Sequence, residues 1–175
     1  KDGSIRMPLS ALNVDIFGAD IEDSPLVFET GDQDGLLKTT SRGVLSIPWL
    51  KNPTALAPVS MFTDHGEPFE GDPRHALERI MKIYDSKGLK AIAATEMEFY
   101  LIDERKTSLL PPINPISGQR LSTPNVLGIS ELDCFDDFFS DLQNGCEQIG
   151  ITVQSITSES GCGQFEVTLK HCDAL

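Results

Sequence analysis

Basic residues are scarce in this chain. Fourteen Lys and Arg stand against 27 Asp and Glu over 175 residues, a formal net charge of −13. That shortage argues against a nucleic-acid or anionic-membrane partner and suits divalent or amine cations, though most such charge serves only as solvated surface. Long hydrophobic runs are absent too: none approaches a membrane span, and no signal peptide opens the sequence. The four cysteines, Cys134, Cys146, Cys162 and Cys172, fall in no C-x-x-C pair and no zinc-like spacing. They read as buried or half-buried free thiols of a cytoplasmic protein. There is no internal repeat and no low-complexity segment. An initiator Met is also missing, and the opening Lys1-Asp2-Gly3 reads as part of a longer protein.

What is present describes an ordered globular chain, 39% hydrophobic and long enough for one ordinary domain or two small ones. Residues 1–62 look β-rich, with candidate strands at 3–7, 14–19, 44–47 and 56–61. Gly and Asp punctuation such as "ETGDQDG" at 29–35 separates them. Further on, Asp72 can cap a helix with Pro73 at its first position. Leu77, Ile80, Met81 and Tyr84 recur at helical spacing, and Gly88 stands where a C-terminal stop belongs. A long Pro/Gly/Ser segment fills 103–129. A second helix is expected over 131–148, capped by Ser130, with Leu132, Phe135, Phe139, Leu142 and Cys146 on its buried face. Strands near 151–156 and at 164–169 close the chain. Helix and strand thus alternate from about residue 72, as in an α/β or α+β layer.

The strand-like segment "TEMEFYLI" at 95–102 carries two acids. Side chains alternate along a strand, so Glu96, Glu98 and Tyr100 share one face, and Met97, Phe99 and Leu101 the other. Two ionised carboxylates about 6–7 Å apart repel by roughly 2–3 kcal/mol at an effective dielectric near 20. Either that face is open to water or a cation sits between them. The phase repeats later: Gln164, Glu166 and Thr168 face one way, Phe165, Val167 and Leu169 the other. Glu159 lies seven residues before Glu166, across a turn holding Gly161 and Gly163. If both strands share a sheet and a facing, Glu96, Glu98, Glu159 and Glu166 gather in one cavity. Oxygen-only ligation there suits Mg²⁺ or Mn²⁺.

"EMEFYLID" at 96–103, followed by "ESGCGQFE" at 159–166, resembles the glutamine synthetase family. So does "DHGEPFEGDPRHAL" at 64–77, although His65 interrupts the family's usual Asp-Gly. "GDQDGLLKTTSRGVLSIPW" at 31–49 looks like the β-grasp segment that ends in a Pro-aromatic pair. The resemblance runs through essentially all of the chain. It implies an α+β fold: a partial β-grasp domain over 1–62, lacking its first strand, and then the start of a catalytic domain over 63–175. That domain would be a curved antiparallel sheet with flanking helices. By resemblance, Glu98, Glu159 and Glu166 hold one Mg²⁺ or Mn²⁺, and Glu96 is a ligand of a second. Asp20 looks like the aspartate that reaches a neighbouring subunit's active site and helps deprotonate the incoming ammonium or amine. Asp34 competes for that role, or is simply a turn residue. The family's substrates are glutamate, ATP and ammonia or an amine, and its members assemble as homo-oligomeric rings.

The match also departs. Ammonia-using bacterial members usually carry an Asp-Gly-Ser-Ser motif where this chain reads "ADIEDSP" at 19–25. With "PPINPISGQR" at 111–120, this looks more like the branch that makes γ-glutamyl-amines and γ-glutamyl-polyamines. Glu22 and Asp23 either favour a cationic amine or form a solvated loop. The family's second-site His and Glu, its phosphate-binding arginines and its flap have no counterpart here, so the 175-residue chain alone is expected to be inactive. The expected function is an ATP-dependent glutamate–amine ligase. Ammonia-using glutamine synthetase is the alternative, and a non-catalytic interaction module is the alternative of another class.

Overall fold

A computed structural model describes residues 5–29, 31–104 and 108–175. The chain is mixed α+β in two compact units, one holding the residues up to Leu45 with Ala55–Ala91, the other Ser46–Thr54 with Ile92–Ala174. No described helix is long and apolar enough to cross a membrane.

In chain order the first elements are β1 (Ile5–Pro8), a 3-10 turn at Leu9–Leu12, α1 (Pro25–Phe28), β2 (Asp34–Thr39), β3 (Leu45–Ser46), β4 (Ala55–Leu56), β5 (Val59–Phe62) and α2 (Pro73–Ser86). The first unit's sheet runs β1-β2-β5, antiparallel throughout, with Leu37 facing Ile5 on one side and Met61 on the other. β2 falls partly on the Gly-Asp punctuation, where Gly35 reads as a breaker. Its backbone is nevertheless extended, and a Cβ there would meet Leu9 Cδ2 at 2.7 Å and the Phe62 carbonyl at 2.9 Å. Glycine permits that close approach.

The expected strand over 14–19 is a turn. Asp15 accepts hydrogen bonds from the Phe17 and Ala19 amides at 2.8 and 2.9 Å, and Gly18 takes φ +81°. A short acidic side chain that captures nearby amides outcompetes a ladder. Of residues 3–7, the first two lie outside the described residues. The expected strand at 56–61 is split into β4 and β5 at Pro58, whose ring nitrogen cannot donate.

α2 begins as its sequence dictates. Asp72 Oδ1 accepts from the Arg74 amide at 2.8 Å, Pro73 occupies the first turn, and Gly88 follows the helix at φ +69°. Asp72 Oδ2 also accepts from the buried Met61 amide at 2.7 Å, and His75 Nε2 meets the Met61 carbonyl at 2.9 Å. The buried side of α2 is therefore His75 and Met81. Ile80 and Tyr84, expected inside, are 50% and 42% exposed.

The second unit contributes β6 (Ile92–Ala93), β7 (Glu96–Tyr100), α3 (Ile129–Cys134), α4 (Asp136–Gln148), β8 (Val153–Ser158), β9 (Gln164–Leu169) and β10 (Cys172–Asp173). Its main sheet runs β7-β9-β8, antiparallel, and β10 pairs with β6. The apolar face packs on the helices. Phe135, Phe139 and Phe165 form the buried cluster, joined by Phe99, Leu101, Leu132 and Ile156.

The expected single helix over 131–148 is two. It breaks at Phe135 (φ −113°, ψ 25°), whose ring packs edge-on against Phe165 with centroids 5.6 Å apart. Its N-cap is Gly128, not Ser130. The cause is tertiary: buried Ser158 Oγ accepts from the Gly128 amide at 2.8 Å and donates to the Asn125 carbonyl at 2.7 Å, fixing where the helix starts. Within the long 103–129 segment, Ile113 bridges Arg120, and Arg120 Nη2 pairs with buried Asp103 at 2.7 Å.

Candidate functional site

The second unit's sheet has one oily face and one carboxylate face, as its alternating sequence requires. Phe165 and Val167 are 0% and 3% exposed, so Gln164, Glu166 and Thr168 turn the other way. Register does the rest. Glu98 lies directly opposite Glu166, Glu96 opposite Thr168, and Tyr100 opposite Gln164. On the far side of β9, Thr157 of β8 faces Glu166. Glu159, one residue past β8, donates its amide to the Gln164 carbonyl at 2.9 Å and so continues the register. Glu96, Glu98, Glu159 and Glu166 therefore share one face of one sheet.

The Glu98–Glu166 pair has a specific geometry. Leu101 and Leu169 donate to the carbonyls of Gly163 and Thr95 at 2.9 Å, which places the ladder bonds at the odd positions of β7. Glu98 and Glu166 are then a non-hydrogen-bonded pair, the kind whose side chains stand closest. Like charges so placed repel. The two carboxylates turn apart accordingly. Glu98 Oε1 accepts from Gln164 Nε2 at 2.7 Å, and Glu166 Oε1 accepts from Thr168 Oγ1 at 3.0 Å, in opposite directions along β9. Among the described residues, no three His, Cys, Asp or Glu are gathered closely enough to hold a metal ion. The donor set still fits a hard divalent ion in kind: it offers carboxylate oxygens alone, and those of Glu98 and Glu166, on adjacent strands, are each held by one side-chain hydrogen bond.

Strand phase puts Gln164 on this face, but nothing in the sequence signals its role. Its Nε2 holds Glu98, while its Oε1 accepts from Tyr100 Oη at 2.8 Å and the Gly161 amide at 2.7 Å. The turn before it is confined: a Cβ at Gly161 would lie 2.6 Å from the Tyr100 ring.

Asp20 belongs to the first unit. It is exposed and bridges Val14 across the 15–19 turn, so it emerges from a turn and not from a strand end. Asp34 is the first residue of β2, opposite Pro8. Glu22, Asp23, Ser24 and Glu29 line an acidic cavity of about 410 Å³. The cysteines are free: Cys134, Cys146 and Cys162 are half-buried, and burial pushes the Cys146 thiol up, whereas Cys172 is exposed.

A match to the family described as "Glutamine synthetase, catalytic domain" covers residues 70–175. The chain belongs to the glutamine synthetase family. It is 28% identical over 176 residues to the gamma-glutamylputrescine synthetase PuuA of Escherichia coli (strain K12), covering 95% of this chain and 36% of that protein. It is 27% identical over 133 residues to a glutamate–isopropylamine ligase from Pseudomonas sp, covering 74% and 28%. A solved structure described as a novel glutamine synthase homolog superposes with a TM-score of 0.75 at 20% identity, over 96% of this chain and 36% of that one. The chain thus spans about a third of the length of these relatives.

Proposed function

We propose that this chain supplies the front part of an ATP-dependent ligase that joins the γ-carboxylate of glutamate to an amine. The observation that carries the reading is the register of β7 on β9, which sets Glu98 against Glu166 with Glu96 and Glu159 on the same face. Glu98, Glu159 and Glu166 would hold one Mg²⁺ or Mn²⁺ once Gln164 and Thr168 release their hydrogen bonds, and Glu96 would serve a second. Bound there, such ions neutralise phosphate charge and align the γ-phosphoryl group of ATP.

Glutamate's γ-carboxylate is a poor electrophile. Its oxygen therefore attacks the γ-phosphorus of ATP and ADP departs, leaving an acyl phosphate. The amine nitrogen then attacks the acyl carbon and phosphate leaves. An amine arrives as ammonium, so a nearby carboxylate favours its binding and then takes its proton. Asp20 fills that role in our reading, reaching a neighbouring copy in a homo-oligomeric ring.

An amine is preferred over ammonia on two grounds. The acidic cavity of Glu22, Asp23 and Glu29 suits a second positive charge on the acceptor, and two relatives are named for amine acceptors. Phosphate release by the parent-length protein, with glutamate, ATP and a panel of amines and ammonia, tests the reading. Turnover with a diamine or alkylamine above that with ammonia supports it. Turnover with ammonia alone reassigns the chain to glutamine synthesis, and none under any condition points to a non-catalytic role.

A further inference from the structure

Two of the glutamates on the carboxylate face are held by neighbours, and the two holds differ in kind. Glu166 Oε1 is met by the Thr168 hydroxyl at 3.0 Å, a single rotor that can swing away. Glu98 Oε1 is met by Gln164 Nε2 at 2.7 Å, and that carboxamide is not free to turn. Its Oε1 accepts from Tyr100 Oη at 2.8 Å and from the Gly161 amide at 2.7 Å. A carboxamide carries its acceptor at one end and its donors at the other. Turned over, it would aim Nε2 at the Gly161 amide and Oε1 at a carboxylate, and lose both of those bonds.

The backbone around it is fixed as well. Gln164 stands directly opposite Tyr100 in the ladder, and its main-chain amide donates to the Gly161 carbonyl at 3.0 Å, closing the turn. Gly163 takes φ +76° there, and a Cβ at Gly161 would lie 2.8 Å from Gln164 Oε1. Glycine lets the turn come close enough to grip the carboxamide. Gln164 Nε2 is therefore committed to Glu98 and keeps that carboxylate turned from Glu166.

We propose that Gln164 is a positioning residue that competes with a divalent cation for Glu98. An ion that gathers Glu98 with Glu159 and Glu166 has to take Glu98 Oε1 from Gln164 Nε2. In the metal-free chain the same bond eases the repulsion between Glu98 and Glu166. The assignment rests on the reading of this face as a metal site. Its signature is a sign. Removing an outer-shell partner that aims a ligand at its ion typically costs about 10–100-fold in affinity, whereas removing a competitor tightens binding. For one hydrogen bond of ordinary net strength the gain is about fivefold.

Mn²⁺ titration of the 175-residue chain at constant ionic strength, followed by the electron paramagnetic resonance of the free ion, tests it. Gln164→Met keeps the length of the side chain without its donor or acceptor, and should bind Mn²⁺ about fivefold more tightly than the parent. That gain should vanish when Glu98→Gln is also present. In the parent, NMR should show the Gln164 side-chain amide protons exchanging with water faster once Mg²⁺ is bound, which decides the matter even if Gln164→Met misfolds. Three results overturn the competition and leave the metal site standing: unchanged or weaker Mn²⁺ binding in Gln164→Met, a gain that survives without Glu98, or amide exchange that Mg²⁺ leaves unchanged or slows. No Mn²⁺ binding by the parent, or binding that Glu98→Gln does not weaken, overturns the metal reading of Glu98 and the competition with it.

Discussion

Replacing Glu98 with Gln is expected to raise the stability of the metal-free chain while abolishing its stabilisation by metal. Glu98 and Glu166 oppose one another in a non-hydrogen-bonded antiparallel pair, where Cβ atoms stand about 5 Å apart. Two unit charges at about 5 Å repel by about 0.8 kcal/mol in water and by about 3 kcal/mol at an effective dielectric of 20. Glu98 is exposed, Glu166 is half-buried, and the two carboxylates turn apart, so the watery limit applies and the gain is about 1 kcal/mol. The amide oxygen keeps the bond from Gln164, so little is lost in exchange. With Mn²⁺ at one hundred times its dissociation constant, the parent gains about 2.7 kcal/mol. The ranking then inverts: the variant leads by about 1 kcal/mol in EDTA and trails by nearly 2 kcal/mol in metal. Urea denaturation followed by far-ultraviolet circular dichroism, at matched ionic strength, reads both arms. Equal metal stabilisation of parent and variant would remove Glu98 from the ligand set. A variant less stable in EDTA would show that the Gln164 contact outweighs the repulsion.

Three further outcomes follow from the geometry. Asp72→Ala should cost about 2–4 kcal/mol in the same assay, the sum of a lost helix cap and an orphaned buried Met61 amide; Asp72→Ser should recover only the capping part, and full recovery would discount the Met61 bond. Burial raises the Glu131 carboxyl above its ordinary 4.5, so the folded chain binds that proton more tightly than the unfolded chain. Its penalty is absent below pH 4.5 and grows as pH rises through the folded value. The stability of Glu131→Gln relative to the parent should therefore climb over that window and then level off, and a flat difference across pH would contradict the burial argument. In the parent-length enzyme, Asp20→Ala should cripple amine transfer yet spare metal binding. Mixed rings with Glu98→Ala subunits should regain some turnover, and no recovery after demonstrated subunit exchange would place Asp20 outside a shared site.

Local grammar carried the parts of this fold whose causes are local. Asp72, Pro73 and Gly88 announce α2 because capping needs only neighbours in sequence. Alternation along β7 and β9 depends on nothing but strand phase, so the sequence puts Glu96 with Glu98 and Glu166 with Gln164, whereas gathering these acids with Glu159 is conditional on the strands sharing a sheet and a facing. Their register on one another, and the divergence of Glu98 from Glu166, depends on cross-strand partners and is not legible in sequence. β2 is hidden in sequence because Gly35 reads as a breaker, and only the fold shows Leu9 and Phe62 crowding it. Residues 14–19 looked like a strand because Ile16 and Phe17 are apolar, yet they are 91% and 88% exposed on a turn organised by Asp15. The second helix reads as unbroken in sequence because nothing beside Phe135 betrays its packing on Phe165. Gln164 had the right phase, but a role as tether between Tyr100, Gly161 and Glu98 exists only in three dimensions.

The position of β9 has a kinetic corollary. It is the middle strand of three, with ladder partners on both sides, so Glu166 cannot shift by sliding or fraying of its backbone. Only rotation about side-chain bonds is left to it, and such rotation takes picoseconds to nanoseconds. Ion capture on this face would then have no slow segmental step to wait for. Its pace would be governed by how readily the incoming ion sheds water, and Mg²⁺ does so reluctantly. Any difference in loading speed between Mg²⁺ and Mn²⁺ would reflect the hydration of the ions and not a movement of the protein.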